Sequence, residues 1–220
     1  MATSLDTERL TEQLVQKYGS EKTATLLSYL DLVLDRNEHI NLTAVRDRDE
    51  AVQKHIADSL SVTDLPEYEK AERVIDIGTG AGFPGALLAV VSPEKEFVLL
   101  DSTLKRLKVI DEFADQLGIA NINTVHARAE EISRRDEYCG QFDLCVSRAV
   151  ASLDKLCGWC LPFVRSGGYF ISYKGGNYQE ELDAAGKSLR KYRGVLERVV
   201  PVEGSSDEIS GHVLLVIRKK

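Results

Sequence analysis

Cysteine is scarce: the chain holds four in 220 residues, at positions 139, 145, 157 and 160. That is too few to staple a chain of this size, and a reducing compartment keeps them as thiols. Cys157-Gly-Trp-Cys160 has the C-x-x-C form, but no second pair and no histidine stands at finger-like spacing. The cysteines therefore read as packing residues and no metal is expected. No segment approaches the unbroken apolar run of about 20 residues that a membrane-spanning helix needs, so no membrane partner is expected. The opening residues, Met1-Ala-Thr-Ser-Leu-Asp-Thr-Glu-Arg-Leu10, carry neither a basic leader nor an apolar signal core. No export signal is read there, and the expected location is cytoplasmic. Positive charge is also short: 28 Lys and Arg against 35 Asp and Glu leave a net charge of −7. Such a balance gives no general attraction for nucleic acid, and no DNA partner is expected. Binding of RNA has to come from local clusters such as Lys105-Arg106-Leu-Lys108 or residues 187–193, although such clusters are commonly solvated helix faces.

What is present is an ordinary globular composition, 43% apolar, in a length that suits one domain with a small extension. The first 72 residues read as a helical N-terminal extension and residues 73–220 as the core. Leu10, Leu14, Val15 and Tyr18 recur at helical spacing and Gly19-Ser20 closes that segment. Residues 21–35 carry Leu26, Leu27, Leu30, Val33 and Leu34 on one broad face. After the polar Asn37-Glu-His-Ile-Asn41-Leu-Thr43, a third helix is expected over residues 49–61, with Val52, His55, Ile56 and Ser59 on one side. From Arg73 onward strands and helices alternate. Strands are expected at 74–77, 96–100, 122–126, 142–146, 169–173, 195–202 and 212–218. Helices are expected at 85–91, 104–118, 129–135, 153–163 and 179–192. The alternation argues an α/β fold, a mostly parallel sheet covered by helices on both faces.

The centre of the sequence is Val74-Ile-Asp76-Ile-Gly78-Thr-Gly80-Ala-Gly82-Phe-Pro-Gly85, a strand that runs into spaced glycines and then a helix. Glycine permits positive φ and a close approach of backbone to ligand. The following helix start offers unpaired N–H groups. Two cofactors use loops of this kind. Gly80-Ala-Gly82-Phe-Pro-Gly85 fits the dinucleotide fingerprint, with Asp101 at a distance suited to a ribose. Gly78-x-Gly80-x-Gly82 with Asp76 ahead of it instead resembles the signature of class I (Rossmann-like) methyltransferases, where the carboxylate after the second strand takes both ribose hydroxyls; Asp101 suits that as well. Three features favour the second reading. Ala127-Arg-Ala129-Glu130 follows the third strand, where methyltransferases contact the adenine. Two strands end the chain around a polar stretch at 203–210, like the reversed C-terminal strand of a seven-stranded methyltransferase sheet. Only about 70 residues follow the fourth strand, below a usual substrate domain.

Several segments, in order and at natural spacing, resemble the bacterial RsmG (GidB) family. They are Asn37-Glu-His-Ile-Asn41-Leu-Thr43, Lys54-His55-Ile-Ala-Asp58-Ser59-Leu60, and the run from Asp76 through Gly85. Asp101-Ser-Thr-Leu-Lys-Arg106, Ala127-Arg-Ala-Glu130, Ser147-Arg148-Ala-Val-Ala151 and Lys174-Gly175 complete the set. The resemblance implies methylation of N7 of one guanosine in the 530 loop of 16S ribosomal RNA, with S-adenosyl-L-methionine as cofactor and 16S rRNA or the small ribosomal subunit as partner. It implies cofactor contacts at Gly78, Phe83, Ala129, Glu130 and Arg148; the residue argument adds Gly80, Gly82 and Asp101. A monomer is expected.

The acceptor chemistry fits. The fourth strand ends Cys145-Val-Ser147-Arg148-Ala149-Val150, without the Asn/Asp-Pro-Pro-aromatic sequence of exocyclic amine methylation. No cysteine stands where a covalent nucleophile is needed. Guanine N7 has an exposed lone pair and no proton, so positioning can supply most of the rate. Arg148, Asn41 and His55 are the candidate catalytic residues. Arg148 is expected to pair with Glu130 or to read guanine O6, against a purely structural salt bridge. For Asn41, Thr43, His55, Asp58 and Ser59, lining the RNA entry competes evenly with satisfying buried backbone groups. Lys174, at a strand end, is a candidate phosphate contact or a solvated lysine.

Overall fold

The structure, a computed structural model, describes residues 3–202 and 211–220. Seven strands form one sheet in the order β3-β2-β1-β4-β5-β7-β6. They are β1 (Arg73–Ile77), β2 (Glu96–Asp101), β3 (Ile122–His126), β4 (Phe142–Arg148), β5 (Val164–Lys174), β6 (Gly194–Pro201) and β7 (Val213–Lys219). Pairs β1·β2, β1·β4, β2·β3 and β4·β5 are parallel, and β7 runs antiparallel between β5 and β6. The reversed C-terminal strand expected from the sequence is β7; the polar stretch at 203–210 lies outside the described residues. In the centre of the sheet Val74, Ile75, Asp76 and Ile77 are all buried, as a strand covered by helices on both faces requires.

Ten α-helices among the described residues clothe this sheet. The N-terminal layer holds α1 (Ser4–Tyr18), α2 (Ser20–Asn37), α3 (Arg48–Ala51), α4 (Asp58–Leu60) and α5 (Pro66–Glu69). The alternating half holds α6 (Gly85–Val91), α7 (Leu104–Leu117), α8 (Ala129–Ile132), α9 (Leu153–Cys160) and α10 (Tyr178–Lys191). Helix α1 starts in a capping box, with the Thr3 hydroxyl accepting from Asp6 N and the Asp6 carboxylate accepting from Thr3 N, which satisfies two otherwise orphaned donors. Leu10 and Leu14 are buried, but Val15 is 38% exposed, so the expected inward face is narrower by one residue. Helix α2 buries Leu26, Tyr29, Leu30 and Val33 at i, i+3, i+4, i+7 spacing. These side chains share one core with Leu87 and Val90 of α6, and with Ile110 and Phe113 of α7. Helix α7 ends where Gly118 takes φ +69°, the left-handed cap its sequence predicts.

Two elements depart from the sequence pattern. The helix expected at 49–61 is broken by a π-helical stretch, Val52–Ala57, between α3 and α4. The wider turn adds a residue to the repeat, and such turns gather at functional sites. The helix expected at 129–135 ends at Ile132; after buried Ser133 come the charged, exposed residues 134–137, with nothing apolar to bury on a further turn.

Candidate active site

The strand order reverses between β1 and β4, and a crevice forms there, past the carboxyl ends of the strands, where open α/β sheets take ligands. The cavity has a volume of about 450 Å³, within the range of ~300–1,000 Å³ typical of small-molecule sites. Gly78, Gly80, Phe83, Asp101, Ala129, Glu130 and Arg148 line it, together with Thr43 and His55.

The glycine loop is held from below. Buried Asp76 accepts through Oδ2 from Thr79 Oγ1 at 2.7 Å and from Gly85 N at 2.9 Å, clamping the loop at both ends. Its Oδ1 has no partner among the described residues. Burial pushes its pKa up to about 6, against the lowering effect of these two donors. Asp76 is thus the clamp of the loop and not a ligand contact. Tyr29 supports the same loop: its hydroxyl donates to Ala81 O at 2.9 Å, and its ring meets Phe83 edge-on at 6.0 Å. Gly82, at φ +91°, leaves room for that hydroxyl; a Cβ there would overlap it. Gly82 is therefore required by Tyr29 and does not line the cavity. At Gly78 an added Cβ would come within 2.6 Å of Val150. Val150 is brought there by Ala149, whose φ of +56° turns the chain sharply after β4.

At the tip of β2, the Asp101 carboxylate accepts from Gly80 N at 3.0 Å and from Thr103 N at 2.8 Å. A carboxylate has about four acceptor sites, so two are left for a vicinal diol. Ala129 is buried and Glu130 exposed; both line the cavity just past β3, the strand that pairs with β2.

The other end is a network centred on Arg148. Its guanidinium donates to Asp58 Oδ2 at 2.8 Å and to Lys54 O at 2.9 Å, and it stands 3.3 Å from His55 Nδ1. The expected pairing of Arg148 with Glu130 is not formed: Asp58, 90 residues earlier, is the partner, in an ion pair whose side chains are 11% and 3% exposed. The Lys54 carbonyl that takes one donor belongs to the π-helical stretch. Burial works against the Asp58 carboxylate, yet His212 (at 3.1 Å) and Arg148 hold its pKa below the usual carboxylate range. His55 stacks on Phe83, with ring centroids 4.6 Å apart, and its Nε2 shares a 2.7 Å hydrogen bond with the Thr43 hydroxyl. Burial first, then the Arg148 charge, push its pKa down to about 3, so the ring is neutral at physiological pH.

Asn41 is exposed and is not among the residues that line the cavity. Asp58 and Ser59 are 2% and 0% exposed, facing protein and not an RNA entry. Lys174 is neither a solvated lysine nor free for a phosphate: it donates to Glu181 and to Ala151 O in an internal ion pair. Cys145, Cys157 and Cys160 are buried free thiols, as packing residues are, and burial raises Cys157 to about 12. No cluster of metal-ligating side chains occurs among the described residues.

The profile of the family described as rRNA small subunit methyltransferase G (GidB) matches residues 22–209. The chain belongs to this family. A ribosomal RNA small subunit methyltransferase G of Clostridium tetani is 37% identical over 202 residues, 92% of this chain and 84% of that protein. The protein of the same name from Clostridium novyi is 39% identical over 203 residues, 92% of this chain and 83% of that protein. Among solved structures, the O-methyltransferase TomG of Streptomyces achromogenes, determined in complex with SAM, shares the fold. It has a TM-score of 0.58 at 15% identity, and the match covers 89% of this chain and 90% of that one.

Two residues that organise this rRNA methyltransferase-family site escape a reading of the sequence. Tyr29 looks like one more apolar position on α2. Asn37 looks like a helix end; its side chain accepts from Leu42 N and Thr43 N and donates to Thr43 O, so that Thr43 is fixed against His55. An asparagine followed five residues later by a buried leucine is the only local signal, and it is weak.

Proposed function

We propose that the chain transfers a methyl group from S-adenosyl-L-methionine to N7 of one guanosine in the 530 loop of 16S ribosomal RNA. The observation that carries the reading is the cavity itself: a glycine loop and a β2 carboxylate at one end, and at the other a neutral, proton-poor wall of Phe83, His55 and the Arg148–Asp58 pair. The residues fit the cofactor. Gly78 and Gly80 would let the backbone approach its methionine part, Asp101 has free acceptor sites for the ribose diol, and Ala129 and Glu130 would hold the adenine. When bound, S-adenosyl-L-methionine supplies a methyl on a positively charged sulfur, and the charge passes to the purine with the methyl.

The chain's own work is positional. Guanine N7 presents a lone pair without a proton, so no general base has to act. His55, held neutral by burial and by Arg148, is suited to form a wall and not to take a proton. Arg148, fixed by Asp58 and the Lys54 carbonyl, can orient the base through O6 while N7 stays free. The pairing also means that the purine, as it gains positive charge, meets a neutral ion pair and not a bare guanidinium. Buried Cys145, Cys157 and Cys160 suit a reaction without a covalent nucleophile.

The partner is 16S rRNA, free or in the small subunit, which puts the enzyme in the cytoplasm as a monomer with residues 1–72 as its helical extension. The test is transfer of labelled methyl to 16S rRNA and to 30S particles. Wild type should label at least one, and folded Arg148→Ala should lose turnover well beyond any loss of stability. Near-wild-type turnover in Arg148→Ala removes that residue from the site; no label on either substrate refutes the function.

A further inference from the structure

A second cavity, of about 290 Å³, opens beside the first, between α8, α9 and α10. Its wall presents Arg134, Lys155 and Lys191 as cations and Trp159 as an aromatic surface, while the Lys191 ammonium lies 5.1 Å from the centroid of the Tyr192 ring. Trp159 and Glu130 line both cavities, so the two share a wall. The three cations are exposed, and none of them has a salt bridge among the described residues. By contrast Arg148 and Arg106, at the first cavity, each lie within 4 Å of a carboxylate, at 2.8 and 3.8 Å. Of the two carboxylates on the second wall, Glu130 and Asp154, the latter is engaged by the Ser188 hydroxyl at 2.7 Å. The end of α10 adds Lys187, Arg190 and then Arg193, with no acidic residue between 184 and 195.

This is an unusual place for positive charge without a carboxylate in salt-bridge reach in a chain of net charge −7. On a convex face, solvent separates like charges at little cost. In a concave groove with low-dielectric walls they repel one another, and the same geometry focuses their field on an anion. A polyanion with flat, apolar bases satisfies both features of the wall, cations for phosphates and an aromatic side chain for a sugar or base.

We propose that this groove is a secondary contact for the substrate RNA, which takes the phosphodiester backbone of nucleotides flanking the methylated base. The inference rests on the RNA reading given above. The groove contributes affinity and register and takes no part in methyl transfer, because its three cations line only the second cavity.

The test uses the full chain with Arg134→Glu, Lys155→Glu and Lys191→Glu combined. A control combines Arg9→Glu, Lys70→Glu and Arg218→Glu, the same change of charge on exposed positions away from both cavities and outside the basic clusters named above. RNA binding is followed with the cofactor site saturated by S-adenosylhomocysteine. Trp159, the single tryptophan, then reports on the groove by its fluorescence. In the groove variant, RNA affinity should fall by at least about tenfold, and the plot of log affinity against log salt should become shallower by about 2–3, the effect of three lost phosphate contacts. Turnover at saturating RNA and affinity for the cofactor should stay at wild-type values, and wild-type Trp159 emission should change when RNA is added. RNA affinity and salt slope equal to wild type, or an equal loss in the control, overturns the groove. Wild-type protein that binds RNA but transfers no methyl refutes the proposed function, and the groove is then judged by the salt slope alone. Wild-type protein without RNA affinity overturns both.

Discussion

His55 makes a sharp test of the site's electrostatics, because its neutrality has a thermodynamic signature. In the folded chain the ring lies against Phe83 and beside the Arg148 guanidinium, and its pKa falls from 6.5 to about 3. Between those values the unfolded chain holds a proton that the folded chain does not. Stability therefore falls as pH falls through that window, by about 1.4 kcal/mol per pH unit. From about pH 8 to about pH 5 the loss is about 2 kcal/mol. Asp76 acts in the opposite sense: its pKa is raised from 3.8 to about 6, so its contribution is present at low pH and lost as pH rises through about 4 to 6. The two slopes nearly cancel in wild type, and a single pH–stability curve conceals both. The difference between wild type and His55→Gln isolates the imidazole. Urea denaturation over a pH series, with an unchanged m-value as control, should show the variant less stable near pH 8. The gap should close by about 2 kcal/mol at about pH 5. A gap that does not vary with pH means that His55 titrates normally in the folded protein, and the neutral wall proposed for the acceptor side is then wrong.

Asp76→Asn should show the complementary effect: relative to wild type, its stability rises by about 3 kcal/mol between about pH 4 and pH 7, measured by the same denaturation series. Gly82→Ala forces a left-handed φ on alanine and places Cβ into the Tyr29 hydroxyl. It should cost about 2–4 kcal/mol and weaken cofactor binding in calorimetry, with part of the loss recovered by adding Tyr29→Phe. Asp58→Asn leaves the Arg148 charge buried without its partner and should cost about 3 kcal/mol. A double-mutant cycle with Arg148→Met, read by thermal denaturation and by turnover, should show strong coupling between the two positions.

What the sequence made legible was whatever depends on local chemistry. The glycine loop, Asp101 at the end of a strand and the left-handed Gly118 cap are each written within a few residues, and the alternation of apolar strands with amphipathic helices revealed the sheet. The acceptor side was less legible because its contacts are remote in sequence. Arg148 finds Asp58 across 90 residues, and Glu130, near in sequence to the expected cofactor contacts, was the wrong partner. The π-helical Val52–Ala57 has the same apolar spacing as an ordinary helix, so nothing local marks the extra residue. Lys174 read as a phosphate contact or a solvated strand end because Glu181, which covers it, belongs to a helix whose packing the sequence does not specify.

Base-resolved mapping of the product reads the acceptor atom itself. Purified protein is incubated with S-adenosyl-L-methionine and 30S particles or 16S rRNA from cells lacking this activity, and the RNA is cleaved chemically at N7-methylated guanosines. A single new cleavage, at one guanosine of the 530 loop, is expected with wild type and is lost with Arg148→Ala. Methyl incorporated at a carbon, a ribose hydroxyl or an exocyclic amine, with no cleavage at that loop, would contradict N7 as the acceptor.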